Sequence, residues 1–281
     1  MPSTWFKFDC MGQKDMKKQV DLTLVLFETE LSRIAESQKA GIVDFIVDWE
    51  CRGKKDRQCG FDTQINEKTP DDLTTLSSST GVISWCRLNA FGSWTKEEVN
   101  KAISAGAAVV LLPMVTSAAE VEKFLRYING RCRSGILLET RQAFQFASDI
   151  AKYPLDIVYV GLNDLMINLH TKSIFSALAS GIVEEARACF NIPMFGCAGI
   201  TVLDRGQPLP CRLLMQEISR LGCNMTFLRR SYNRDIIGRD PVYELNRIRF
   251  YWKNLSLRLQ NEVSKDHQEF LTAVKNIELN C

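Results

Sequence analysis

The stretch GILLETRQAFQFASDIAKYPLDIVYVGLNDL, residues 135–165, decides the fold. It contains two apolar runs of strand length, and each run is followed closely by a carboxylate, Glu139 after the first and Asp164 after the second. The residues between the runs, about 141–153, have the length of one crossover helix. A strand, a helix and a second strand of this kind form a right-handed parallel unit. The two carboxylates are therefore expected to lie close together at the carboxyl edge of one sheet.

The same alternation of apolar runs and helical periods extends in both directions from this stretch. Strands are predicted at 22–27, 42–50, 82–89, 108–114, 135–139, 156–161, 192–200 and 224–232. Eight strand–helix units predict an α/β fold, a (β/α)8 TIM barrel, and the continuous apolar runs fit strands that are covered on both faces. An open doubly wound sheet is less compatible with the sequence, because FETEL, residues 27–31, contains no glycine for a phosphate-binding turn.

The length fits one barrel domain spanning residues 1–281, because such barrels need about 250 residues. Residues 1–20 are interpreted as an N-terminal extension. Residues 240–278 are predicted to be a long helix with Leu245, Ile248, Tyr251, Leu255 and Leu259 on one face. This helix is longer than a barrel requires, so its surplus face is a candidate contact between subunits of a homo-oligomer; the alternative is an amphipathic helix that only covers the barrel.

Composition favours a cytoplasmic protein that binds neither nucleic acid nor membranes. The net charge is +2, and no run of about 20 apolar residues occurs. The N-terminal residues lack the pattern of a signal peptide. None of the ten cysteines forms a CxxC pair, and there are two histidines, which argues for reduced thiols and against a structural zinc site.

Polar residues follow several of the predicted strands, at the end where barrel enzymes carry their chemistry. The second strand is followed by Asp48 and Glu50, and the third by Arg87 and Asn89. Glu139 follows the fifth strand, and Asn163 and Asp164 follow the sixth. Charges at strand ends cost desolvation unless they are paired or bound to a metal, so the joint pattern predicts a functional site. Any one of these carboxylates could instead be a helix cap or an ion-pair partner.

Several segments together resemble the HpcH/HpaI aldolase and citrate lyase beta-subunit family of phosphoenolpyruvate mutase-like barrels. They are IVDFIVDWE, VISWCRLN, AVVLLPMVTSAAEVEKFL, ILLET and DIVYVGLNDL. The resemblance covers about residues 20–235, and the part from LLPMV to GLNDL is the specific one. It implies an exchange of the last helix between subunits.

The resemblance also assigns roles to residues of the predicted site. Glu139 and Asp164 would be the direct ligands of Mg2+ or Mn2+, although another divalent ion could serve. Arg87 would hold the enolate oxygen of a pyruvyl unit, and Glu50 would orient water at the metal. The backbone amides around Asn163 and Asp164 would receive the substrate carboxylate. In this interpretation Arg87→Ala retains the fold and loses most turnover.

Two positions depart from the aldolase branch of that family. Asp48 is followed three positions later by Cys51, where the branch has a histidine that forms a base dyad with the aspartate, and Leu137 replaces a usual glutamine. A base from residues 51–70 or a metal-bound hydroxide would explain the change. A reactive Cys51 thiol near Arg52, Lys54 and Lys55 is an alternative, as is a protein that binds its ligand without turnover. His170 is a further candidate for the imidazole.

The sequence therefore predicts a divalent-metal-dependent carbon–carbon lyase of the aldolase type, with Arg87, Asp48 and Glu50 as catalytic residues. Its ligand would be a 2-oxo acid, such as pyruvate, oxaloacetate or a phosphoenolpyruvate-like compound, together with an unidentified acceptor. The alternatives are a citrate-lyase-like thioester lyase, a phosphoenolpyruvate-using transferase, and a catalytically impaired pyruvyl-binding barrel. The cluster of Arg52, Lys54, Lys55 and Arg57 suggests an anionic co-substrate, and Arg205 is a weaker candidate at the same mouth.

Overall fold

Eight parallel strands close into a barrel in the computed structural model, which describes residues 21–53 and 68–280. The strands are β1 Thr23–Phe27, β2 Asp44–Asp48, β3 Ile83–Arg87, β4 Val109–Leu112, β5 Arg133–Leu138, β6 Ile157–Val160, β7 Met194–Ile200 and β8 Met225–Leu228. Each strand pairs with its sequence neighbours, and β1 pairs with β8, with Thr23 opposite Met225, to close the ring. The predicted TIM barrel is confirmed. The predicted extension at residues 1–20 lies outside the described residues.

Helices connect successive strands and continue after the last one. They are α1 Leu31–Lys39, α2 Pro70–Ser77, α3 Thr95–Ser104, α4 Ala118–Ile128, α5 Arg141–Gln145, α6 Ala147–Ile150, α7 Leu162–Leu169, α8 Ser176–Ala179, α9 Ile182–Cys189, α10 Cys211–Arg220, α11 Arg230–Asp235, α12 Pro241–Leu255 and α13 Gln260–Leu279. The helix predicted between β5 and β6 consists of two short segments, α5 and α6, that meet at Phe146.

Alternate residues of each strand face two different apolar layers, which explains why the strands are apolar throughout. One layer fills the barrel and includes Val25, Trp85, Leu137 and Phe227. The larger layer lies between the strands and the surrounding helices. Trp85 also donates a hydrogen bond from Nε1 to Asp44 Oδ1 at 2.9 Å, so this buried carboxylate has a partner inside the barrel.

Three local predictions are wrong. Strand β8 ends at Leu228 and is followed by α11, whereas the predicted strand extended to Tyr232. The sequence TKEE, residues 95–98, predicts a capping box with Thr95 as N-cap. Trp94 is instead the N-cap of α3, and the Glu98 carboxylate accepts hydrogen bonds from Asn89. A long C-terminal helix is confirmed as α13, but its predicted span of 240–278 is wrong, because the helix breaks between α12 and α13, where Leu259 lies with 66% of its surface exposed.

The C-terminal helix α13 packs on the barrel helices of its own chain. His267 Nδ1 lies 2.9 Å from Glu217 Oε2, and Arg258 pairs with Asp266 at 2.6 Å. Phe270 and Val274 are fully buried in this contact. In this structure α13 packs within a single chain. Exchange of the helix between subunits therefore stays a prediction.

Among the described residues, no helix combines the length and apolarity needed to cross a membrane. The described cysteines, namely Cys51, Cys86, Cys132, Cys189, Cys197, Cys211 and Cys223, are free thiols.

Candidate active site

One cavity of about 450 Å3 opens at the carboxyl ends of the strands. Asp48, Arg87, Glu139, Asn163 and Asp164 all line it, so the structure brings together residues from four different strand ends. Glu50 does not line the cavity, because its side chain is completely buried behind Arg87. The catalytic, metal-binding and substrate-binding roles of these six residues remain predictions.

Arg87 is the last residue of β3, and two carboxylates hold its guanidinium. Its Nε and Nη2 donate to the two oxygens of Asp48 at 2.9 and 2.7 Å, and Nη1 lies 3.5 Å from Glu50 Oε2. Burial lowers the pKa of Arg87, but the charges of Asp48 and Glu50 more than offset this and raise the pKa well above its usual value. The guanidinium therefore stays charged and fixed, and it has more N–H groups than these contacts use.

The two predicted metal ligands lie at the ends of β5 and β6. Glu139 follows β5 directly and is 2% exposed, and Asp164 lies in the first turn of α7 and is also buried. Burial, and then the charges of Asp164 and Glu50, raise the pKa of Glu139 well above its usual value, while Arg87 and the backbone N–H of Met114 oppose the rise. Two carboxylates that repel each other in a buried pocket would be stabilised by a cation between them.

Gly161 provides the space that the Glu139 carboxylate occupies. A Cβ atom at position 161 would lie 2.1 Å from Glu139 Oε1, which is far inside van der Waals contact. The Met114 N–H holds the other oxygen at 3.1 Å. The carboxylate is thereby fixed between a backbone donor on one side and bare backbone on the other.

The donor set is compatible with Mg2+ or Mn2+, although it is incomplete. Among residues 21–53 and 68–280, no cluster of three or more His, Cys, Asp or Glu side chains could hold a metal ion. Mg2+ is commonly bound by only one or two carboxylates, with water and substrate oxygens as its other ligands. Glu139 and Asp164 match that pattern, so a bound 2-oxo acid would have to contribute ligands.

The two candidate bases, Cys51 and His170, do not line the cavity. Cys51 is exposed and does not line the cavity, and its backbone N–H donates to Asn89 Oδ1 at 2.9 Å. His170 ends α7 in a left-handed conformation, also away from the cavity. Asn89 orders the chain after β2, since it also accepts from the Arg52 N–H at 2.8 Å. No imidazole from the described part of the chain lines this cavity.

The predicted anion-binding residues are also away from the cavity. Arg52 lies over the Trp94 ring at 4.7 Å, and Arg205 is exposed; neither lines the cavity. Lys54, Lys55 and Arg57 lie outside the described residues.

Sequence reasoning missed several residues at the mouth, of which Lys68, Arg229 and Tyr159 are the clearest. Arg229 comes directly after the apolar run of β8, so the rule that found Glu139 and Asp164 would have found it. The prediction that β8 extended to Tyr232 placed Arg229 inside a strand instead. Lys68 belongs to residues 51–70, which the sequence offered as a source of a base without singling out this lysine. Tyr159 lies inside β6 and reaches the cavity only through barrel closure, which nothing in the local sequence indicates.

Comparison with known proteins agrees with the fold and with the resemblance to one family. Residues 72–187 match the model of the HpcH/HpaI aldolase/citrate lyase family. The resemblance to this family is confirmed. The matched segment includes Arg87, Glu139, Asn163 and Asp164, and the family match supports a lyase-type enzyme.

Two solved structures of this family and one of a citrate synthase have the same fold. The HpcH/HpaI aldolase from Desulfitobacterium hafniense DCB-2 is 15% identical, with a TM-score of 0.57 over 77% of this chain and 90% of that one. An HpcH/HpaI aldolase/citrate lyase family protein from Burkholderia cenocepacia J2315 is 14% identical, with a TM-score of 0.56 over 84% and 95%. Citrate synthase SbnG is 16% identical, with a TM-score of 0.53 over 74% and 86%. These likenesses show the fold alone, and no curated protein sequence matches the chain.

Proposed function

We propose that the protein is a divalent-metal-dependent carbon–carbon lyase acting on a 2-oxo acid. One observation supports this most directly: Glu139 and Asp164 line the same cavity as an arginine that Asp48 and Glu50 hold in place. The family match supports lyase chemistry in general, and the metal, the 2-oxo acid and the residue roles are the proposed part.

Each residue of the site would have a separate role in this reaction. Glu139 and Asp164 would hold Mg2+ or Mn2+, which when bound would act as a Lewis acid toward the 2-oxo acid. Arg87 would donate hydrogen bonds to the substrate oxygen on which enolate charge develops, and Asp48 and Glu50 would keep it oriented. The first backbone N–H groups of α7, near Asn163, have no intrahelical acceptors and would receive the substrate carboxylate.

Binding experiments test the site before any acceptor is known. Oxalate, which mimics a planar enolate, should raise the thermal unfolding midpoint of the wild-type protein when Mg2+ or Mn2+ is present. It should fail to do so with EDTA, and in Glu139→Gln with the metal present. Equal stabilisation by oxalate with and without the metal would contradict the proposal. Pyruvate release from a panel of aldol substrates, coupled to NADH oxidation, would then test the lyase activity.

A pyruvyl-binding barrel without turnover is the second candidate. The absence of a described imidazole from the cavity, together with the position of Cys51 outside it, favours this alternative over a standard aldolase. Metal-dependent oxalate binding without pyruvate release from any substrate of the panel would support it. Measurable release that is lost in Arg87→Lys would support the lyase instead.

A further inference from the structure

Arg229 is a partly buried cation in the cavity wall, and none of the described carboxylates forms an ion pair with it. It follows β8 directly, and its backbone N–H donates to the carbonyl of Ile200 at 3.0 Å. Its Nε is buried and has no hydrogen-bond acceptor. Across residues 21–53 and 68–280, no carboxylate lies within 4.0 Å of the guanidinium, in contrast to Arg87, which has two carboxylate partners.

The one carboxylate among the described residues whose charge acts on Arg229, that of Asp235, is hydrogen-bonded to other donors. Asp235 accepts from Thr201 Oγ1 at 2.7 Å and from Arg234 at 2.9 Å, so it affects Arg229 only through its charge. Burial, as the largest influence, lowers the pKa of Arg229, which shows that the folded protein penalises this charge. A guanidinium nevertheless stays protonated in proteins, so binding of an anion beside Arg229 would be favourable.

The two ends of the cavity differ in charge. The wall formed after β5 and β6 carries Glu139 and Asp164, whereas the wall after β8 and β1 carries Arg229, with Arg33 and Lys68 nearby in the lining. Glu28 partly neutralises Arg33 at 3.4 Å, and Lys68 donates to Thr29 Oγ1 at 2.7 Å. Arg230 also lines this wall but is exposed, so Arg229 is the more buried of the two cations after β8 and the better placed to take a ligand.

An aromatic floor separates the acidic wall from the basic one. Phe227 stacks on Tyr159, with ring centroids 3.9 Å apart. The rings of Phe27 and Phe227 are perpendicular in a T-shaped pair, with centroids 5.3 Å apart. A pyruvyl unit at Glu139 and Asp164 would leave the rest of the 450 Å3 cavity for a longer ligand whose middle is apolar.

We propose that Arg229 binds a second oxyanion, a carboxylate or a phosphoryl group, at the distal end of the ligand. The substrate class is then a 2-oxo acid with an anionic group at its far end. This inference rests on the proposed function, because that function places the 2-oxo acid end at Glu139 and Asp164. It moves the anion-binding role from residues 52–57 to the rim after β8.

Three ligands with the same 2-oxo acid end separate the alternatives. 2-Oxoglutarate and 2-oxopentanoate have equal chain lengths and differ in the distal carboxylate, and 2-oxo-4-phosphonobutanoate carries a phosphonate there. Isothermal titration with Mg2+ would compare the wild type with Arg229→Gln and with Arg205→Gln, whose exposed arginine does not line the cavity. The tighter of the two anionic ligands identifies the oxyanion.

We expect Arg229→Gln to weaken binding of the preferred anionic ligand about tenfold or more, because a charge-assisted hydrogen bond is lost. Its affinity for 2-oxopentanoate should stay within about twofold of the wild-type value, and Arg205→Gln should match the wild type with all three ligands. Urea unfolding of Arg229→Gln should show unchanged or higher stability, because the guanidinium has no protein partner to lose.

Failure of the inference differs from failure of the proposed function. If the wild type binds oxalate with Mg2+ but Arg229→Gln binds all three ligands as the wild type does, the oxyanion site is disproved and the metal site stands. If oxalate does not bind while the affinity for an anionic ligand still depends on Arg229, the metal site is disproved and the oxyanion site stands. If no ligand binds, both are disproved.

Discussion

Arg87 compensates two buried carboxylates in addition to facing the cavity. Asp48 is 3% exposed and Glu50 is completely buried, so removal of the guanidinium takes an ion-pair partner away from each of them. Breaking a buried ion pair on one side costs about 3–5 kcal/mol. The structure thus modifies the expectation from sequence that Arg87→Ala would only lose turnover.

We predict that Arg87→Ala lowers the free energy of unfolding by about 3–5 kcal/mol. It should also reduce turnover about a hundredfold or more, since a preorganised donor is lost. Urea unfolding and steady-state assays measure the two effects. Arg126→Ala, which removes an exposed ion pair with Glu122, is the matched control and should change neither. Unchanged stability of Arg87→Ala would show that Asp48 and Glu50 do not depend on this arginine.

Glu139 links stability to pH through its raised pKa. An acid whose pKa is higher in the folded state holds its proton more tightly there, so its favourable contribution is complete below the unfolded pKa of about 4.3. That contribution decreases as the pH rises from this value through the folded pKa, because burial and Asp164 then oppose ionisation. Without a divalent ion, Glu139 therefore destabilises the folded protein at neutral pH.

Glu139→Gln should be more stable than the wild type at pH 8 in EDTA, and the difference should shrink as the pH approaches 4. Mg2+ should then stabilise the wild type, more at pH 8 than at pH 5, and leave Glu139→Gln unaffected. Thermal unfolding across this pH range gives both comparisons. Glu97→Gln, at an exposed position on α3, serves as control and should show no such gain. A pH-independent difference between wild type and Glu139→Gln would contradict the linkage.

Among the secondary-structure elements, helix α2 shows what a local motif can predict. Thr69 Oγ1 accepts from the Asp72 N–H at 3.4 Å, and the Asp72 carboxylate accepts from the Thr69 N–H at 2.7 Å. The sequence Thr69-Pro70 predicts Thr69 as the N-cap, with proline at the first helical position, and the structure confirms it. The similar Thr95–Glu98 pattern fails because Glu98 hydrogen-bonds to Asn89. Spacing alone cannot reveal such a competing tertiary contact.

Thr69→Ala should lower the free energy of unfolding by about 0.5–2 kcal/mol, because it removes the acceptor for an otherwise unpaired helical N–H. Chemical denaturation monitored by circular dichroism measures the change. Ser78→Ala, at the other end of α2, removes only a hydroxyl that donates to the Thr74 carbonyl, and it should have a smaller effect. Equal losses in the two variants would mean that the cap does not stabilise the protein.

For the whole molecule, the barrel was predictable because apolar strands and helical periods alternate along the entire chain. The cavity wall was predictable only where a polar residue directly follows a strand, as with Glu139. Lys68 directly precedes the helix cap Thr69, at the end of the segment 51–70 that the sequence offered as a source of a base, whereas Tyr159 lies inside β6. Local pattern does not show which side chains converge when the ring closes, so neither Tyr159 nor the choice of Lys68 within its segment could be found from the sequence.

A stripe of exposed apolar side chains near the C-terminus fits the predicted homo-oligomer. Tyr243, Phe250 and Leu257 recur at intervals of seven residues and are 61%, 69% and 73% exposed. We predict that the wild type is an oligomer by light scattering and that Phe250→Glu reduces its mass. Lys123→Glu, at an exposed position on α4, should leave the mass unchanged. A monomeric wild-type protein would disprove the prediction.

The bare backbone at Gly161 makes two positions interdependent. Any side chain there would collide with Glu139, so a substitution at 161 alone should displace the carboxylate and impair every property that depends on it. A side chain at 161 becomes sterically tolerable only when residue 139 also loses its Cγ, as in Glu139→Ala, because that atom would lie 2.7 Å from the added Cβ. Natural variants and redesigned versions of this barrel should therefore change the two positions together or leave both as they are.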